Sequence, residues 1–115
     1  MTKILFPTDF SDTANNAFLY ALNLAKVLNA EIRLISVQSS VKNYLDVTED
    51  DFESYINQLK DVAVKNGLED INIESSLVVG DLLMMILDIV NKQDIKYIVM
   101  GTNGQNSLGK KFFGS

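Results

Sequence analysis

Lys3-Ile-Leu-Phe-Pro7, Ala14 to Leu28 and Glu31-Ile-Arg-Leu-Ile-Ser-Val37 are consecutive stretches between which the hydrophobic period changes twice. The first is a short, continuous apolar run of the kind a buried strand shows. In the second, Ala14, Ala17, Phe18, Ala21, Ala25 and Leu28 recur at steps of three or four and build one apolar helical face. Ser11 or Asp12 offers a short side-chain oxygen to cap that helix, and the alanines let it lie close against a sheet. The third stretch is rich in β-branched residues and reads as a second strand. Strand, helix and strand in this order form a crossover unit whose two strands run parallel.

Outward from this unit the same alternation continues. Residues 38–48 read as a loop. Thr48 with Asp51 three residues on resembles a capping box. Phe52, Tyr55, Ile56, Leu59, Val62 and Ala63 then mark an amphipathic helix, and Gly67 stands where a left-handed residue would close it. A third strand is expected over Ile71 to Val79, ending at Gly80. Asp81 caps a third helix running to about Gln93, with Leu82, Leu83, Ile86, Ile89 and Val90 inward and Met84 and Met85 outward. Ile95 to Met100 reads as a fourth strand. The order β-α-β-α-β-α-β predicts one α/β domain over residues 1–115, a doubly wound parallel sheet with helices on both faces.

Composition narrows the chemistry. The chain has 115 residues and contains no Cys and no His. Thiolate nucleophiles, disulfides, imidazole bases and His-rich zinc sites are therefore excluded. Any chemistry must use carboxylates, lysines, hydroxyls or backbone N–H groups. The net charge of −5 is unevenly spread: residues 95–115 hold Lys96, Lys110 and Lys111 and no acid. An acidic body argues against nucleic acid, which needs a basic patch, whereas a locally basic end suits a small anion. The apolar run Leu82 to Leu87, which no other run exceeds, is far short of the roughly 18 residues a membrane span requires. Met-Thr-Lys leads straight into a strand with no signal-peptide core, so a cytoplasmic protein is expected. Glu49, Asp50, Asp51 and Glu53 read as carboxylates favouring a helix N-terminus rather than as metal ligands.

After Met100 the pattern changes. Gly101, Gly104 and Gly114 stand with two and then nine residues between them, and Ser115 follows the last. A strand that ends in glycine lets the backbone approach a ligand with no Cβ in the way. Successive N–H groups in such a turn make a concave anion site, with Lys110 and Lys111 adding positive potential. In doubly wound sheets ligands lie outside the C-terminal strand ends where strand order reverses. If strands 2 and 3 lie on one side of strand 1 and strand 4 on the other, Pro7-Thr8-Asp9 and Gly101 open onto one crevice.

The spacing Gly101-x2-Gly104-x9-Gly114-Ser115 resembles the nucleotide-binding pattern of the universal stress protein family. Ile4-Leu-Phe-Pro-Thr-Asp-Phe-Ser11 is similar to that family's opening. The resemblance covers the whole chain. It implies a Rossmann-like sheet of the adenine-nucleotide α-hydrolase type, with strand order 3-2-1-4. It also implies the family's ATP-binding branch. Gly101, Thr102, Gly104, Gly114 and Ser115 would hold ribose and phosphates. Pro7, Thr8 and Asp9 would border the nucleotide, with Asp9 helping to hold Mg2+. Val37 would meet the adenine through its backbone, and the Gly80-Asp81 turn would border the pocket. Family members continue with a helix and a fifth strand used for pairing subunits. Both are missing here, so the expectation is a domain cut short at its C-terminus, with a homodimer or a tandem-domain partner.

The function this implies is an ATP-binding regulatory module, not an enzyme. The nucleotide signals a state that changes partner choice or oligomerisation in a stress response, with slow hydrolysis at most. Asp9 is the only carboxylate expected near the phosphates, and a water-activating base is not evident. The alternative is a nucleotide-free protein-interaction module of the same fold. An adenylyl-transferring or pyrophosphatase enzyme fits less well, because Pro7-Thr-Asp-Phe-Ser11 lacks the glycine- or histidine-rich signature such enzymes carry after the first strand.

Overall fold

The computed structural model describes residues 2–10, 12–38 and 48–101. Its elements are β1 (Lys3–Pro7), α1 (Asp12–Leu28), β2 (Glu31–Gln38), α2 (Glu49–Lys65), β3 (Ile73–Val79), α3 (Leu82–Lys92) and β4 (Ile95–Ile98). Every strand pair is parallel and the order is β3-β2-β1-β4, as expected. β1 and β2 register from Lys3↔Glu31 to Pro7↔Ile35, and β2 and β3 from Ile32↔Ile73 to Gln38↔Val79.

Alternation along the strands sorts side chains to two faces. Ile4, Phe6, Ile32 and Leu34 join Phe18 and Leu22 of α1 and Phe52, Tyr55, Ile56 and Leu59 of α2 in the larger core. The Phe6 and Phe18 rings meet edge-on at 5.2 Å. Leu5 and Ile35 point the other way, onto Ile86 and Ile89 of α3. Two helices therefore cover one face and a single helix covers the other, as right-handed crossovers in this strand order require.

The helix ends follow local chemistry. Thr48 and Asp51 form the capping box, and Asp81 Oδ2 accepts from the Met84 N–H at 3.0 Å. Glu49, Asp50 and Asp51 lie in the first turn of α2. Gly67, at φ 69°, ends that helix: its N–H reaches Val64 O at 3.1 Å and the Leu68 N–H reaches Ala63 O at 2.8 Å. This is a Schellman closure. α1 ends in the same way through Asn29, at φ 53°, with the Ala30 N–H on Ala25 O at 2.9 Å. The cap expected from Ser11 lies outside the described residues, and Asp12 is already helical.

Four details differ from the sequence expectation. β3 starts at Ile73 instead of Ile71, because the Ile71 N–H closes a turn on Leu68 O at 3.1 Å. β4 ends at Ile98 instead of Met100. Its last bond to β1 is Val99 N–H to Leu5 O at 3.0 Å. The next β1 residue whose backbone faces β4 is Pro7, which has no N–H to give. Leu83 is 37% exposed instead of inward. The sheet is met by the narrow stripe of Leu82, Ile86, Ile89 and Val90, and Leu83 falls to one side of it. Met84 is exposed as expected, but Met85 is half-buried, its sulfur 3.3 Å from where a Cβ on Gly80 would stand.

Candidate functional site

β1 and β4 are neighbours, whereas β2 and β3 lie on the opposite side of β1. The order of the chain thus reverses between β1 and β4, and the crevice beyond their C-terminal ends is the place where such sheets take ligands. Thr8, Asp9 and Phe10 leave the end of β1 on one side of this crevice. Gly101, half-buried, follows β4 on the other. Thr102, Gly104, Gly114, Ser115, Lys110 and Lys111 lie outside the described residues.

The turn after β1 is held by its own atoms and by a distant helix. The Thr8 N–H bonds Ile35 O at 2.9 Å, extending the ladder by one rung. The Thr8 hydroxyl accepts from the Phe10 N–H at 3.2 Å and shares a 2.8 Å hydrogen bond with the Tyr55 hydroxyl of α2. Thr8 is only 9% exposed and Tyr55 only 6%. This hydroxyl is thus engaged inside the fold. The Phe10 ring packs on Tyr55 at 4.3 Å and meets Phe52 edge-on at 6.1 Å. Phe10 has φ 69°, a conformation that costs a bulky residue free energy. Between these anchored neighbours Asp9 is exposed at the mouth of the crevice. Burial, above all, raises the Tyr55 hydroxyl pKa above its ordinary 10.0; the bond to Thr8 works the other way, and the negative charge of Asp9 adds to the rise. Asp9 therefore lies within electrostatic reach of Tyr55.

Val37 lies at the same end of the sheet, near the end of β2. Ile35 O accepts from Thr8 on the β1 side, and Gln38 O accepts from the Gly80 N–H, at 2.8 Å, on the β3 side. Backbone groups alternate sides along a parallel strand. Val37 therefore turns its N–H and C=O toward β1, two residues beyond the last β1 pairing at Ile35. Gly80 and Asp81 are at the same end of the sheet, with Gly80 at φ 154°. The Asp81 carboxylate is occupied in capping α3.

The donor set bears on what could bind. Among the described residues no group of three or more carboxylates could hold a metal by itself. Mg2+ is commonly bound by one or two carboxylates together with substrate phosphates and waters. One exposed carboxylate at the crevice, Asp9, fits that mode of binding and does not fit a resident all-protein metal site. At the opposite end of the sheet a recess of about 300 Å3 is lined by Lys26, Asn29, Gly67, Asp70 and Asn72 among others. There α1 and α2 present their C-terminal, carbonyl-bearing ends, which repel anions.

Sequence reading placed Pro7, Thr8, Asp9, Val37 and Gly101 at one end of the sheet, and the structure brings them together there. It missed Phe10 and Tyr55. Tyr55 stood in the sequence only as one member of an apolar stripe, and no local signal marks a phenylalanine for a positive φ.

A doubly wound parallel α/β sheet with a crevice at its reversal point defines a class of folds that take ligands at that crevice. The model of the universal stress protein family matches residues 1–115, and the chain belongs to that family. It is 27% identical over 124 residues to the universal stress protein MJ0531 of Methanocaldococcus jannaschii, covering 98% of this chain and 71% of that one. A solved universal stress protein in complex with cAMP matches with a TM-score of 0.71 at 20% identity, covering 99% of this chain and 85% of that one. A universal stress protein family member from Arabidopsis thaliana with AMP bound matches with a TM-score of 0.59 at 19% identity, covering 96% and 84%. At these identities the two structures establish a shared fold. Among the described residues no helix is long and apolar enough to cross a membrane.

Proposed function

We propose that this chain binds an adenine nucleotide, ATP with Mg2+, in the crevice between the ends of β1 and β4, and acts as a regulatory module in the cytoplasm. The observation that carries the reading is the reversal of strand order between β1 and β4, which sets the Asp9 turn opposite Gly101. The fold's likeness to proteins solved with cAMP and with AMP supports an adenine nucleotide. Gly101, Thr102, Gly104, Gly114 and Ser115 hold the ribose and phosphates through backbone N–H groups and hydroxyls. Pro7 and Thr8 shape the wall, and Val37 offers its backbone, turned toward β1, to the base. Asp9 supplies one oxygen to a Mg2+ that the phosphates and water otherwise hold; the ion neutralises phosphate charge.

The described crevice offers no imidazole and no second carboxylate beside Asp9, so the bound nucleotide serves as a signal rather than as a substrate turned over rapidly. The signal is read by a second copy of the chain or by a tandem-domain partner. Exposed Leu83, Met84 and Leu87 on α3 and Tyr97 on β4 are apolar surface that supports this reading. Calorimetric titration of the full chain with ATP and Mg2+ tests it. Saturable heat is expected, reduced at least tenfold in affinity by Gly104→Val. Absence of heat with the native chain sinks the proposal and favours a nucleotide-free interaction module.

A further inference from the structure

Phe10 is an aromatic residue held at φ 69° where glycine or asparagine would adopt the same backbone with less strain. Such a conformation persists only where the surroundings over-determine it. The surroundings here are α2. Phe52 and Tyr55, three residues apart on one helical face, receive the Phe10 ring at 6.1 Å and 4.3 Å. The Phe10 N–H is held by the Thr8 hydroxyl, and that hydroxyl is held by Tyr55, 47 residues away in sequence. Thr8 is thus a relay: among the described residues, its side chain without Tyr55 keeps the single bond from Phe10. Asp9 lies between the two residues so fixed, exposed at the crevice.

We propose that Tyr55 is a positioning residue for the ligand: acting through Thr8, its hydroxyl holds the Thr8-Asp9-Phe10 turn in the strained shape that presents Asp9 to the nucleotide and its metal. This rests on the nucleotide reading above. Contacts within the fold hold the turn, so binding does not have to supply the free energy of ordering it. Removing the Tyr55 hydroxyl leaves the fold's core ring in place but frees Thr8 to rotate. Phe10 can then relax toward negative φ, and Asp9 moves with it. α2 follows directly on the segment after β2, so this contact also ties the second crossover of the fold to the ligand end of the first strand.

The test uses the full chain, native and as Tyr55→Phe, Thr8→Val and the double variant. Affinity for ATP with Mg2+ is read by calorimetry, and amide hydrogen exchange is read at Phe10. Loss of one net hydrogen bond corresponds to about a fivefold change. Each single variant should therefore bind about fivefold more weakly and exchange the Phe10 amide faster. The double variant should bind no more than about twofold more weakly than Thr8→Val, because the Thr8–Tyr55 bond is already lost in that single variant. A purely packing role for Tyr55 would lower stability and leave the affinity of the folded chain unchanged. Native binding with unchanged affinity in Tyr55→Phe overturns the positioning role alone. Unchanged Phe10 exchange, or fully additive losses in the double variant, also overturns it. Absence of saturable binding by the native chain overturns the nucleotide reading itself and the ligand role of Tyr55 with it.

Discussion

The turn after β3 passes through Gly80 at φ 154°, whereas the turn after β1, at the same end of the sheet, forces Phe10 to φ 69°. The first turn uses the residue with the least to lose from a positive φ. Its Asp81 then caps α3, so backbone conformation and helix start are solved within two residues. The second turn uses a residue for which that conformation is unfavourable. It recruits a hydroxyl relay and two aromatic rings from α2 to hold it. The β3 turn is a structural hinge between strand and helix. The β1 turn carries strain beside the point where strand order reverses, which is where strain has a functional use.

The comparison can be broken most easily at the glycine. A Cβ on Gly80 would stand 3.3 Å from the Met85 sulfur and would meet a φ that side chains rarely adopt. Gly80→Val is expected to lower stability by about 2 kcal/mol, measured as a fall in the urea midpoint with an unchanged slope. An undiminished midpoint would mean that the β3 turn has no more need of glycine than the β1 turn.

A smaller effect sharpens the other side. Tyr55 has its pKa raised in the fold, chiefly by burial, so above pH 10 the native state holds more protons than the unfolded chain. Its contribution is full below the unfolded value of 10.0 and is lost as pH rises through the raised folded value. Between pH 9 and pH 11 the native chain should therefore lose more stability than Tyr55→Phe. Equal losses in both would show that the buried phenol is not coupled to the fold as described.

Much of this architecture is legible in the chain. A continuous apolar run marked β1 and β-branched residues marked β2, and the periods of α1, α2 and α3 marked the helices. Thr48, Gly67 and Asp81 announced helix boundaries because their side chains, or the lack of one, act within a few residues. Asn29 was readable by the same rule, since asparagine is the next best residue at a left-handed helix end. The strand ends were less legible, because β4 stops where a proline in its neighbour withholds an N–H. Leu83 depended on how narrow a stripe of α3 touches the sheet. Asp9 and Gly101 could be placed at one end of the sheet from strand order, whereas Val37 was drawn there only by the family resemblance. Phe10 and Tyr55 could not, because their roles arise from contact between segments far apart in sequence.

We propose above that the nucleotide lies against the β1 turn and the end of β4. This is tested most directly by titrating the isotope-labelled full chain with ATP and Mg2+ while following backbone amide resonances. The largest shifts are expected at Asp9, Phe10, Val37 and Gly101, with Asn29, Gly67 and Asn72 at the far end of the sheet unmoved. Shifts centred on that far end, or none at Asp9 and Gly101 at saturation, would contradict it.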